Sequence, residues 1–203
     1  ITFLLVFFLS FPWVNAQNAT KPKPQEWQIN GIVAALDDDY DEVKEYALRQ
    51  LARYESEDLM PLLKRPDDVA EKVAKLLKHK SVDSNIRSSA ALALGNLGDA
   101  AKPYVKDITD ILKDKSLSSH SSSALEALGN LGDTAKPYVK DIADILKDNS
   151  VHPDIRFSAA YALGNLGDTT KPYVKDIPDI LKDKSFNSNI RVYAAEVERK
   201  CGV

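Results

Sequence analysis

The chain has 203 residues, with 27 Lys and Arg against 30 Asp and Glu, for a formal net charge of −3. Both signs are interspersed, so there is neither the basic stripe that nucleic-acid binding calls for nor the polybasic cluster that an anionic membrane surface attracts. The single cysteine, Cys201, excludes an internal disulfide, and stability has to come from packing.

Residues 1–14 (ITFLLVFFLSFPWV) are apolar and uncharged, and they run into Val14-Asn15-Ala16. A short apolar core followed by a small-residue site reads as a secretory signal peptide over residues 1–16, cut near Ala16. The run is shorter than the roughly 20 residues that a membrane-crossing helix needs, and an uncleaved anchor is the alternative. Ile1 is not Met and no basic residue precedes the run, so an upstream start is expected. The mature form is therefore expected off the membrane, in a periplasmic, lumenal or extracellular space. Residues 17–26 (QNATKPKPQE) are polar and punctuated by proline, and read as a linker. Within them Asn18-Ala19-Thr20 is a glycosylation sequon, meaningful only in a eukaryotic secretory host.

Internal repetition dominates from residue 27 onward. The string KPYVKDI begins at 102, 136 and 171, and ALGNLGD begins at 93, 127 and 162, so the copies are offset by 34 and then 35 residues. Each unit holds two helical patterns. In the first, residues 103–114, apolar Tyr104, Val105, Ile108, Ile111 and Leu112 fall on one stripe of a 3.6-residue period. Pro103 suits a first helical position, where its missing N–H costs nothing. In the second, residues 84–97, Ile86, Ala90, Ala93, Leu94 and Leu97 share a face, and the small alanines permit close approach of two helices. Asp83 is placed to cap the start and Gly98 the end; Pro153 opens the equivalent helix two copies later.

The pattern extends outward with decay. Residues 67–78 match the first helix and 43–54 the second, with 28–36 as the latter's partner; a longer connection, 55–66, follows that pair. Residues 185–201 repeat the second helix, with Glu198 and Cys201 at core-leucine positions, and Cys201 is read as a buried inert thiol. Helices of about twelve residues are marginal alone in water. Each stripe needs a neighbour, and burying one Leu or Ile contributes roughly 1.5–3 kcal/mol. Stacked pairs shelter all the stripes, with additive nearest-neighbour stability. The expected architecture is all-α: a solenoid of about five helix pairs, at about 27–54, 67–98, 99–132, 133–167 and 168–203.

The Ile86-Arg87, Ile155-Arg156 and Ile190-Arg191 pairs, with A-x-x-A-L-G-x-L-G over residues 90–98, resemble HEAT repeats, and more closely the HEAT-like repeats first described in phycobiliprotein lyases. The resemblance is strong over 67–203 and weaker over 27–54. It implies a right-handed α-α superhelix of the HEAT/armadillo kind. The second copy departs from the pattern: it is one residue shorter and His120-Ser121 replaces the Ile-Arg pair. Pro178 falls inside the last first-type helix, where a kink is expected.

No catalytic constellation emerges. His79, His120 and His152 fall at inter-helix turns of different repeats, and nothing in the spacing brings them together on a metal. The acidic run Asp37-Asp38-Asp39 with Asp41 and Glu42 lacks the glycine and spacing of a calcium loop and reads as a solvated turn. Arg87, Arg156 and Arg191 are expected to pair with neighbouring aspartates along the stack. No catalytic, cofactor-binding or metal-binding residue is assigned, and no cofactor is expected.

One stripe carries a sharper possibility. Asn96, Asn130 and Asn165 recur two residues after a core leucine, an offset of about 200° on a helix, which turns them from the packed side. One turn earlier on that face lie Leu92, Glu126 and Tyr161. In HEAT-like stacks the second helices line the concave surface. The similar Ala-Leu-x-Asn pattern of armadillo repeats grips the backbone of an extended peptide, so the resemblance implies a peptide- or protein-binding stripe of Leu92, Asn96, Glu126, Asn130, Tyr161 and Asn165. Arg53 and Lys200 hold the equivalent outer positions and make both ends basic. The alternative is an amide ladder in which each Asn bonds its own helix end or the next turn. The function expected is an exported, non-enzymatic protein-interaction scaffold. A subunit of a phycobilin lyase or antenna-modifying system is one alternative, a repeat with purely structural duties another.

Overall fold

The computed structural model describes residues 23–113 and 120–172, together with the helical positions 188, 191, 192, 195, 198 and 199. The signal segment, the sequon, Pro178 and Cys201 lie outside the described residues. Within them the chain forms α1 (Glu26–Ala35), α2 (Asp41–Leu51), α3 (Ser56–Leu59), α4 (Pro66–Lys78), α5 (Ser84–Asn96), α6 (Val105–Lys113), α7 (Ser121–Asn130), α8 (Val139–Lys147) and α9 (Pro153–Leu166), and no strand. Pairs α1/α2, α4/α5, α6/α7 and α8/α9 pack together, and the second helices α2, α5, α7 and α9 pack side by side in a continuous row. This is the all-α solenoid the repetition foretells.

The stripes go where the periodicity puts them. Ile86, Ala90, Leu94 and Leu97 of the first full repeat are at most 1% exposed, as are Leu125 and Leu128 of α7 and Ile142 and Leu146 of α8. Asp83 Oδ1 accepts from the Asn85 backbone N–H at 2.7 Å, the expected cap of α5. Pro153 opens α9 as expected, and the His152 ring supplies a cap the sequence reading did not assign, accepting from Asp154 N at 3.3 Å. Gly98, Gly132 and Gly167 adopt φ of +50°, +53° and +63°, the left-handed conformation that ends each second helix.

Two expectations need correction. The first helix of each unit does not start at its proline. After the glycine the chain makes a 3-10 turn, Gly98–Tyr104 or Gly132–Tyr138, with Pro103 or Pro137 inside it, and the α-helix starts only at Val105 or Val139. The tight turn holds Ala100, Ala101 and Ala135 in the core. The longer connection 55–66 carries structure of its own: α3 and the turn Met60–Leu62 bring Leu59 and Leu63 into the core. The expected linker also gives its last residues to the fold, since Pro24 is buried and α1 begins at Glu26.

Surface charge follows the repeat. Lys78 reaches Asp107 of the next unit at 3.3 Å, and Lys113 reaches Asp141 of the unit after at 3.1 Å. Lys78 also lies over the Tyr104 ring, 5.7 Å from its centroid. Lys72 is paired with Asp37, so the acidic turn before α2 is held against α4.

Candidate interaction surface

The row of second helices is unusually tight, and glycine is the reason. A Cβ on Gly95 would stand 2.7 Å from the Cα of Ala127, and one on Gly129 would stand 3.0 Å from the Cα of Ala162. Helix backbones therefore approach where the ALG triplets of successive copies meet. The alanines predicted to allow close approach do so in company with these glycines.

That approach brings the recurrent asparagines into line. Asn96 Nδ2 donates to the Ala52 carbonyl at the end of α2 at 2.9 Å, and Asn130 Nδ2 donates to Asn96 Oδ1 at 3.1 Å. Asn96 is buried, whereas Asn130 and Asn165 are exposed. The ladder passes from repeat to repeat rather than staying within each helix end. One turn earlier, Leu92 and Tyr161 are half-buried and Glu126 is exposed, on the same side of the row. Desolvation by its neighbours raises the Glu126 carboxyl above its ordinary value.

At the N-terminal end of this row an open groove of about 390 Å³ runs between α2 and α5, lined by Tyr46, Arg49, Gln50, Ala52, Arg53, Ser89 and Leu92. Of these, Leu92 and Arg53 belong to the stripe expected from the sequence. Tyr46 and Arg49 were legible too: with Val43 set against Ile86, Arg49 falls in register with Leu92 and Tyr46 with Ser89. The weaker match of this pair to the later copies hid the register.

The arginines in the first turns of α5 and α9 have a task beyond the ion pairing expected of them. Arg87 Nε donates to the Leu77 carbonyl and Arg156 Nε to the Leu146 carbonyl, each at 2.9 Å. They thereby satisfy a carbonyl at the C-terminus of the preceding helix, where a cation also meets the negative end of the dipole. Arg156 does act on an aspartate as well. Its charge adds to the Ser150 hydrogen bonds, which come first, in holding the Asp148 carboxyl below its ordinary value. Arg191 is a helical, exposed position.

The histidines stay at the turns: His79 Nδ1 meets Ser81 Oγ at 2.9 Å, and His120 approaches Asn85 of the previous repeat at 3.5 Å. Among the described residues no group of three or more His, Cys, Asp or Glu could hold a metal ion, and no helix is long and apolar enough to cross a membrane.

Paired helices with a shared register and a packed row of second helices define an α-solenoid. A family model for HEAT repeats matches residues 29–116, so this part of the chain is built of HEAT repeats. The match runs from within α1 through α6, and α7 to α9 continue the same unit with the same glycines. Comparison with curated proteins gives no match. HEAT repeats commonly act as protein-interaction scaffolds and are generally non-catalytic.

Proposed function

We propose that the chain is a non-enzymatic scaffold, working outside the cytoplasm after loss of residues 1–16, that holds a protein or peptide segment along the concave face of its second helices. The observation that carries this is the contrast between copies on one face. Packing residues Ala93, Gly95 and Leu97 recur as Ala127, Gly129 and Leu131 and as Ala162, Gly164 and Leu166, while their solvent-side neighbours differ as Leu92, Glu126 and Tyr161. A common frame with a variable surface row suits recognition of an irregular ligand. Leu92, Glu126, Tyr161 and Asn165 are the contact residues in this reading. Asn96 and Asn130 align the helices through their amide ladder, and Asn130 keeps an exposed amide at the surface.

The test is a pull-down from the source organism with the full chain, compared with Glu126→Lys plus Tyr161→Ala. Partners captured by the parent are expected to be lost by this pair. They are expected to be retained by Asp110→Lys plus Asp144→Lys, which alters exposed positions on the first helices α6 and α8. The reverse pattern would assign binding to the first-helix face.

A further inference from the structure

The groove between α2 and α5 specifies a ligand chemistry, an inference that rests on the scaffold reading above and deepens it. Arg49 and Arg53 are four residues apart, so both guanidinium groups rise from one face of the chain at the end of α2. Neither is engaged tightly. Arg49 Nη1 lies 3.6 Å from Glu45 Oε1 with its side chain 63% exposed, and Arg53 Nη1 donates to the neutral Gln50 Oε1 at 3.4 Å. Charge-assisted bonds to a carboxylate run shorter, at about 2.7–2.9 Å, and an arginine can make two of them at once. None of the seven lining residues is acidic, in a chain whose net charge is −3. Leu92 of α5 and Tyr46 of α2, the latter 60% exposed, give the groove an apolar wall. Its volume of about 390 Å³ suits a few side chains rather than a folded surface, since drug-sized ligands fill roughly 300–1,000 Å³.

We infer that this groove takes an extended acidic peptide segment of the partner protein, with a carboxylate between Arg49 and Arg53 and the adjoining aliphatic side chain against Leu92 and Tyr46. The segment then continues along the row past Glu126, whose like charge disfavours a second acidic residue at that point and sets the direction in which the charged end lies. A protein segment fits better than a nucleic acid because two arginines neutralise two phosphates at most, and Glu126 faces the continuation of the track.

The experiment selects peptides of about twelve residues from a random display library on the full chain, then measures an enriched peptide by fluorescence polarisation. Enriched sequences are expected to carry Asp or Glu beside Leu, Ile or Val. Converting that acid to its amide, or introducing Arg49→Gln plus Arg53→Gln into the chain, is expected to weaken binding by about tenfold or more. Raising salt from about 50 to 500 mM should weaken the parent complex as well. Neutral or basic enriched peptides, or equal affinity in the Arg double variant, overturn the inference. So does a single-stranded oligonucleotide that binds more tightly than any peptide, or chain self-association lost in the same variant, which would assign the groove to a nucleic acid or a second copy. A peptide lost by Glu126→Lys plus Tyr161→Ala, yet indifferent to the Arg pair, sinks this inference while leaving the scaffold face in place. Failure to enrich any peptide sinks both. Both arginines are exposed, so circular dichroism of the double variant should match the parent and separate lost binding from lost folding.

Discussion

Replacing Gly95 with alanine isolates the contact on which the second-helix row depends. In an isolated helix the change stabilises by about 1 kcal/mol, because glycine has the poorer propensity. Here the added Cβ meets Ala127 Cα at 2.7 Å, Ala127 Cβ at 3.0 Å and the Ala127 carbonyl at 3.2 Å. Two of the three atoms are backbone, so no rotamer change relieves the contact. Helices α5 and α7 must part by about 0.7 Å to reach ordinary contact, and a gap of that size forfeits a quarter or more of the dispersion energy across the seam. Overpacking of this kind costs typically 1–3 kcal/mol. Set against the propensity gain of about 1 kcal/mol, the net loss is at most about 2 kcal/mol. Gly31 is the control: it lies inside α1, and a Cβ there meets nothing within 4 Å. Urea titration followed by circular dichroism should give the lowest midpoint for Gly95→Ala. Gly129→Ala, with its closest contact at 3.0 Å, should fall between that and the parent, and Gly31→Ala should lie at or above the parent. A Gly95→Ala chain as stable as the parent would refute the close-approach account of the row.

Other consequences follow from single features. Gly132 has φ of +53° and open space around it, so Gly132→Ala should cost about 1–2 kcal/mol through backbone strain alone; Gly132→Asn should recover part of that midpoint loss. Asn96→Ala removes the part-buried bond to the Ala52 carbonyl together with the acceptor of Asn130, and should lower stability by about 1 kcal/mol, more than Asn130→Ala at its exposed position, as read by thermal melts of the two variants. Desolvation raises the folded Glu126 carboxyl above its unfolded value, so the folded chain binds the extra proton. Stability from this group is fully present below the ordinary carboxylate range and falls as pH rises through the raised value. Glu126→Gln should therefore raise the melting temperature at neutral pH and lose that advantage in acid. The inter-repeat pairs Lys78–Asp107 and Lys113–Asp141 are solvent-accessible, so Asp107→Asn plus Asp141→Asn should cost no more than about 1 kcal/mol for each pair, and less in high salt.

Much of this molecule was written along the chain. The 34- and 35-residue offsets, the 3.6-residue stripes and the glycine after each second helix determined the pairing of helices, their buried faces and their ends, because these are local properties that each copy repeats. The caps at Asp83 and Pro153 were legible for the same reason. Tertiary structure alone decided how the copies meet. Whether Gly95 serves propensity or contact depends on Ala127, 32 positions away by sequence numbering, and the bond from Asn96 runs to a carbonyl 44 residues earlier. The start of each first helix at Val105 or Val139 likewise reflects alanines drawn into a core that no single helix possesses. The groove of Tyr46, Arg49 and Leu92 exists because α2 and α5 lie side by side, and its register sits in the copy that departs furthest from the repeat. Periodicity fixes what a helix must hide; only packing determines which side chains remain outside together.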